Sequence, residues 1–134
     1  MTELTWEEVK ASKQGEVFVD EFDEGLRFRV VRGPGSLCAY IGIPKDHPMA
    51  GKDYNDLPIN AHGGLTFSSP GKPGTPFLED FYWYGWDYAH LGDRSFYDFR
   101  FEPDEIAWTP KMVKDDSWET IYEFKKLMKL MESK

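Results

Sequence analysis

The sequence predicts an α+β domain: an antiparallel sheet of five to six strands, with a short N-terminal helix and a longer C-terminal helix packed on it. Three observations carry this expectation. In residues 26–32, Leu26, Phe28 and Val30 alternate with Arg27 and Arg29, the period-two signature of a half-buried strand. The connectors Asp23-Glu24-Gly25 and Gly33-Pro34-Gly35 are short turn signals that suit an antiparallel meander. From Thr109-Pro110 onward, Trp118, Ile121, Tyr122, Leu127, Met128 and Met131 recur at three- and four-residue steps, a broad helical stripe expected to face the sheet.

Each element has its own local cause. Thr5 followed by Glu8 is a capping box, Leu4 and Val9 stand at staple spacing, and Gly15 ends the first helix. Residues 16–22, 26–32 and 37–43 form the meander, the third apolar on both faces and therefore central. Residues 44–61 read as one long ordered loop with a helical turn, and loops of that length in small domains often carry function. Residues 62–69 look like a fourth strand opened by two glycines, and 69–76 like a flexible hairpin tip with little chemistry. The aromatic run 81–86 is a fifth strand, and 96–101 an edge strand. Thr109 before Pro110 caps the closing helix, and Asp116 with Glu119 is a second start signal at which it bends or restarts.

The 134 residues make one domain, 1–134, with 16 Lys+Arg against 24 Asp+Glu and a net charge of −8. That balance argues against coating DNA or RNA, which requires cationic surface. Aromatics at 16% supply a core and exclude disorder. One cysteine, Cys38, excludes an internal disulfide and a Cys-based zinc knuckle, and its apolar strand marks it as an inert thiol. The acidic N-terminus lacks an apolar signal core, and no apolar run is long enough to span a membrane, so the expected location is cytoplasmic, with no membrane partner.

All three histidines lie beside glycines and outside the regular runs: His47 in DHPMAG, His62 in AHGG, His90 in DYAHLGD. Asp87, His90 and Asp93 are spaced three apart, so one helical turn or tight loop aligns them. Such a set can hold an imidazole in one tautomer while its other nitrogen meets a ligand, or can offer mixed donors to Zn or Mn. It can equally be a salt-linked turn to Arg94. Gly63-Gly64 allows positive φ and close approach by a ligand, and serves a β-bulge or sheet corner as well. The candidate ligand-binding set is therefore His47, His62, Gly63, Gly64, Thr66, Trp86, Asp87, His90 and Asp93. His62, His90 and Asp87 are the candidate catalytic residues, and His62, His90, Asp87 and Asp93 the candidate ligands of a divalent metal. No GxSxG elbow or Walker A loop is present.

The ordered blocks GIPKDHPMAGKDY, AHGGLTF and YGWDYAHLGD, then Trp-Thr-Pro, resemble a group of small uncharacterised bacteriophage proteins over roughly residues 40–113. The resemblance implies a viral origin and a host-cytoplasm location, with no assigned reaction. It carries over His47, Pro48, Gly51, Tyr54, His62, Gly63, Gly64, Thr66, Asp87, His90, Gly92 and Asp93. Tyr88 stands where members of that group often have Cys, which argues against a thiol mechanism at this position.

Three functions follow as expectations. The first is a His/Asp/Gly-lined pocket for a polar small molecule, with a nucleotide-derived metabolite or signal as one class. The second is a metal-dependent hydrolase using the same residues. The third is an acidic inhibitor of a host nucleic-acid or defence protein. A homodimer and a host protein are further partners the sequence allows. The acidity is local: residues 79–105 hold eight acids against Arg94 and Arg100, whereas 106–134 hold six Lys against five acids. A negative rim around DYAHLGD favours a metal or a neutral or cationic ligand over a bare polyphosphate.

Overall fold

The computed structural model describes residues 3–97 and 104–132. Helix α1 (Trp6–Ala11) opens with the expected capping box. Thr5 Oγ1 accepts the Glu8 N–H, and Glu8 accepts the Thr5 N–H in return. The helix closes earlier than Gly15, at Ser12, and Gly15 (φ +93°) turns the chain into β1. Strands β1 (Val17–Asp23), β2 (Leu26–Arg32) and β3 (Leu37–Pro44) form the antiparallel meander. Strands β4 (Phe67–Pro70) and β5 (Phe81–Asp87) complete a five-stranded antiparallel sheet of order β1-β2-β3-β5-β4. The expected strand at 96–101 falls mostly outside the described residues, and Phe96 and Tyr97 lie in a turn.

Helices α2 (Pro110–Asp116) and α3 (Trp118–Glu132) cover one face of the sheet, broken at Ser117, where the second start signal lies. Leu26, Phe28, Val30, Ala39, Ile41, Ile43, Tyr84 and Trp86 point into this core against Val9, Val113, Phe124 and Met128. The helical stripe differs from expectation. Its buried centre is Phe124 with Thr120 and Met128, while Trp118 and Tyr122 face water. The helix has two apolar lines, and periodicity alone cannot say which meets the sheet.

The loop after β3 is ordered by burial. Met49 and Leu57 are core residues, and the Tyr84 hydroxyl donates to the carbonyls of Met49 and Lys52. Its helical turn is a short 3₁₀ segment, Tyr54–Asp56, capped by Asp53. The fourth strand begins at Phe67 rather than at 62, because residues 60–64 are drawn off the sheet onto α3. There Thr120 donates to the Asn60 carbonyl, and Glu123 accepts the Asn60 N–H.

The other face of the sheet carries Tyr40, Phe67, Phe77, Phe81 and Trp83 in ring contact. Two glycines make the room: Tyr40 is registered opposite Gly85, and Trp83 opposite Gly42. A Cβ on Gly85 would stand 2.5 Å from the Tyr40 ring, and one on Gly42 2.9 Å from Trp83. The segment expected to be a free hairpin tip folds back over this face instead. Arg29 donates to the Pro76 carbonyl and Trp83 Nε1 to the Leu78 carbonyl. Cys38 is half-buried on this same face rather than in the core, and burial pushes its thiol above the usual range.

Candidate functional site

The site grows from the end of β5. The strand's core-facing alternation of Tyr84 and Trp86 continues one step past its end, so Tyr88 is buried too. The chain then turns through residues 88–93, and Asp93 forms an isolated parallel bridge with Ile106 that brings Trp108 alongside. The Asp93 carboxylate is 2% exposed and is the hub of the corner. Oδ1 accepts Trp108 Nε1–H at 2.7 Å; Oδ2 accepts the His90 backbone N–H at 2.9 Å and lies 2.7 Å from His62 Nε2. An ionised carboxylate only accepts, so His62 presents Nε2–H to it, and the neutral ring then carries its lone pair on Nδ1.

The His62 ring is fixed from three sides. It stacks on Tyr88 at 4.4 Å and 14°, and meets Trp108 edgewise at 5.1 Å and His90 at 5.7 Å. Tyr88 is itself oriented, donating to Asp116 Oδ2 at 2.8 Å and accepting Trp86 Nε1–H at 3.2 Å. Burial first, and the Asp116 carboxylate besides, push the Tyr88 phenol above its ordinary range, so it stays a neutral donor. His62 Nδ1 turns toward Asp116, 4.0 Å from Oδ2, too far for a direct hydrogen bond. Both residues line a shallow depression of about 170 Å³ with Asn60, Ala61, Glu119 and Thr120.

Gly63 is required here for two reasons. Its φ is +69°, and a Cβ would stand 2.2 Å from His90 Nε2, in hard collision with the ring. The group that approaches this glycine is thus an imidazole of the same chain. Gly64 (φ +86°) needs only its conformation, since nothing lies near a Cβ there. His90 Nε2 sits 3.2 Å from Asp87 Oδ1, off the direction of a hydrogen bond, while Asp87 Oδ1 accepts the Ala89 N–H.

Of the candidate set, the structure brings together His62, Gly63, His90 and Asp93, with Asp87 on the rim beside His90. Trp86 is in the core and reaches the corner only through its bond to Tyr88. Thr66 is exposed beside β5, donating its N–H to Gly85, and lines a separate hollow with Cys38, Tyr40 and Asp87. His47 lies elsewhere: Nδ1 accepts the Met49 N–H, and Nε2 is 3.5 Å from Glu132 at the far end of α3. Thr120 and Glu132 are separated by about 18 Å of helix, so His47 takes no part in the His62 corner. Among the described residues no group of three or more His, Cys, Asp or Glu is arranged to hold a metal ion. The expected four ligands form two pairs, His62 with Asp93 and His90 with Asp87, and both oxygens of Asp93 already face N–H donors.

Tyr88, Trp108, Asp116 and Thr120 are the residues that sequence reasoning missed. Tyr88 was findable by extending the β5 alternation; Trp108 and Asp116 arrive through tertiary contacts that no local spacing announces. No helix among the described residues is long and apolar enough to cross a membrane. Comparison of the chain with family models, with curated proteins and with solved structures returns no match.

Proposed function

We propose that the chain binds a small cationic or hydrogen-bond-donating ligand at the His62 corner, with His62 Nδ1 and the Asp116 carboxylate as the recognising acceptors. The Asp93–His62 pair carries this reading. A buried carboxylate holds one ring nitrogen at 2.7 Å, which leaves the other as an oriented acceptor beside a depression whose charged members, Asp116 and Glu119, are both acids. The amino edge of a nucleobase suits these acceptors, in keeping with the nucleotide-derived class that the resemblance to phage proteins suggests. A polyphosphate would meet carboxylates.

Titration of the ¹⁵N-labelled protein with ethanolamine, agmatine and cytidine tests the proposal by amide shifts. Saturable shifts are expected at residues 60–63 and 116–120. They should vanish in His62→Gln and in Asp116→Asn and persist in His47→Gln. Shifts that survive His62→Gln, or none that saturate with any of the three probes, overturn it.

The same dyad supports a catalytic reading, in which Asp93 holds the ring in place and the neutral ring's Nδ1 takes a proton from a water in the depression. Hydrolysis of p-nitrophenyl acetate above background, lost in both His62→Gln and Asp93→Asn, is its signature. Stimulation by Zn²⁺ or Mn²⁺ would mark the metal-dependent form. The acidic-inhibitor reading has less support, because the carboxylates of the β1–β2 hairpin face cations. Asp20 is paired with Arg27 and Arg29, Glu21 with Lys114, Asp23 with Lys125 and Glu24 with Lys129.

A further inference from the structure

The two acceptors of the His62 corner stand at a set spacing, and one residue sets it. Tyr88 lends its ring face to His62, stacked at 4.4 Å and 14°, and its hydroxyl to Asp116 Oδ2 at 2.8 Å. Tyr88 is buried, and its oxygen is held in turn by Trp86 Nε1–H at 3.2 Å. On its other edge His62 is held by Asp93, which Trp108 and the His90 N–H keep in place. His62 Nδ1 and Asp116 Oδ2 are thereby fixed 4.0 Å apart.

That gap favours one kind of donor. A single nitrogen with hydrogen bonds of about 2.9 Å to both atoms sees them at an angle of about 90°. The N–H bonds of an alkylammonium diverge by about 110°, so each hydrogen bond bends by only about 10°. A planar amino group, its N–H bonds about 120° apart, bends both further and brings no charge. A guanidinium presents two parallel N–H bonds that match the two oxygens of one carboxylate, so it takes Asp116 alone and leaves His62 unused. A quaternary ammonium has no N–H to give. Charge points the same way: Asp116 and Glu119 line the depression, no Lys or Arg does, and its volume of about 170 Å³ admits a short carbon chain behind the nitrogen.

We infer that the His62 corner selects a primary alkylammonium, held by its one nitrogen between His62 Nδ1 and Asp116 Oδ2, and that Tyr88 sets this selectivity by positioning both acceptors. The inference rests on the reading of the corner as a site for cationic or hydrogen-bond-donating ligands, and narrows it to one class. The neutral His62 ring accepts one N–H, and the Asp116 carboxylate accepts a second and supplies the counter-charge. Tyr88 acts through His62 and Asp116, and so is a positioning residue. A free amine and the side chain of a peptide lysine share this chemistry.

Amide-shift titration of the ¹⁵N-labelled protein with propylamine, propylguanidine and trimethylpropylammonium tests the inference. Propylamine should saturate the shifts at residues 60–63 and 116–120 with a Kd on the order of millimolar, about tenfold or more below that of either other cation. Tyr88→Phe keeps the stacked ring but releases Asp116, so the preference should fall to about twofold or less; a merely structural loss would weaken all three probes alike and leave their ratio intact. That variant also strips Trp86 Nε1 of its acceptor, and circular dichroism verifies its fold. If it unfolds, Asp116→Glu, which moves the acceptor at a half-exposed position, should erase the preference instead. Equal affinities of the native protein for the three cations overturn the inference while the corner remains a cation site; no saturable shift with any of them overturns both. A ratio unchanged in the folded variant overturns the role of Tyr88. Nα-acetyl-lysine methylamide separates the two sources: binding tighter than propylamine assigns the site to a peptide lysine, weaker binding to a free amine, and either order meets the inference.

Discussion

His47 and His62 sit near opposite ends of α3, each in a turn and each within reach of carboxylates, yet their surroundings assign them different work. His47 spends Nδ1 on the Met49 N–H of its own turn, and its Nε2 faces Glu132, a carboxylate 56% exposed. His62 gives Nε2 to a carboxylate that is 2% exposed and held by two further donors, and its Nδ1 turns toward a polar depression. A histidine becomes a site when a buried, fully partnered group fixes one nitrogen and geometry frees the other. Nearness to an acid in sequence does not achieve that.

The largest effect is expected at the hub. Asp93→Ala leaves Trp108 Nε1, the His90 N–H and His62 Nε2 without their acceptor, and should cost about 3 kcal/mol in urea or thermal unfolding. Glu132→Ala, the matching change at the His47 end, should stay within about 0.5 kcal/mol. Comparable losses from the two would remove the distinction between the corners.

Next come the glycines of the His62 turn. Gly63→Ala meets both a positive φ and the His90 ring, and should cost about 2 kcal/mol; Gly64→Ala meets only the first, about 1 kcal/mol. In a His90→Ala background the Gly63→Ala penalty should shrink toward that of Gly64→Ala, because the clash is gone. Calorimetric additivity of the two changes would show that His90 is not what excludes the side chain.

His47→Ala removes one backbone acceptor and should cost about 1 kcal/mol while leaving the probe-induced amide shifts at 60–63 intact. Loss of those shifts in this variant would tie the two ends of α3 into one site.

A small, pH-dependent effect belongs to Asp20, the solvent-facing counterpart of Asp93. Arg27, with Arg29, holds its carboxyl well below the usual range against an opposing effect of partial burial. A lowered folded-state pKa contributes stability that is fully present above the unfolded value, about 4, and is lost as pH falls below it. Asp20→Asn should therefore cost about 0.5–1 kcal/mol at neutral pH. The gap from the native protein should close in strong acid; a gap of constant size down to about pH 2 would contradict the ion-pair account.

Legibility in the sequence followed locality. The capping box at Thr5 and Glu8, the β1–β3 meander and the break near Asp116 depend on neighbours a few residues away, and all three are present. The 62–66 segment was misassigned to a strand because Asn60 is captured by Thr120 and Glu123, about sixty residues on. The 69–76 segment reads locally as a flexible hairpin tip because the residue that holds it, Arg29, which donates to the Pro76 carbonyl, lies on another strand. Of the site, His62, Gly63, His90 and Asp93 were named from sequence, whereas Trp108, Tyr88 and Asp116, which complete the corner, were not.

The sequence by itself determined an antiparallel α+β domain and a shortlist of histidines, aspartates and glycines, since alternation, turn chemistry and capping are short-range properties of the chain. Only the tertiary structure decided which histidine has a buried acid behind it, what fills the space above Gly63, and which apolar line of α3 faces water. Each of those depends on what a distant segment delivers to the same few ångströms, and burial there sets how strongly a carboxylate holds a ring.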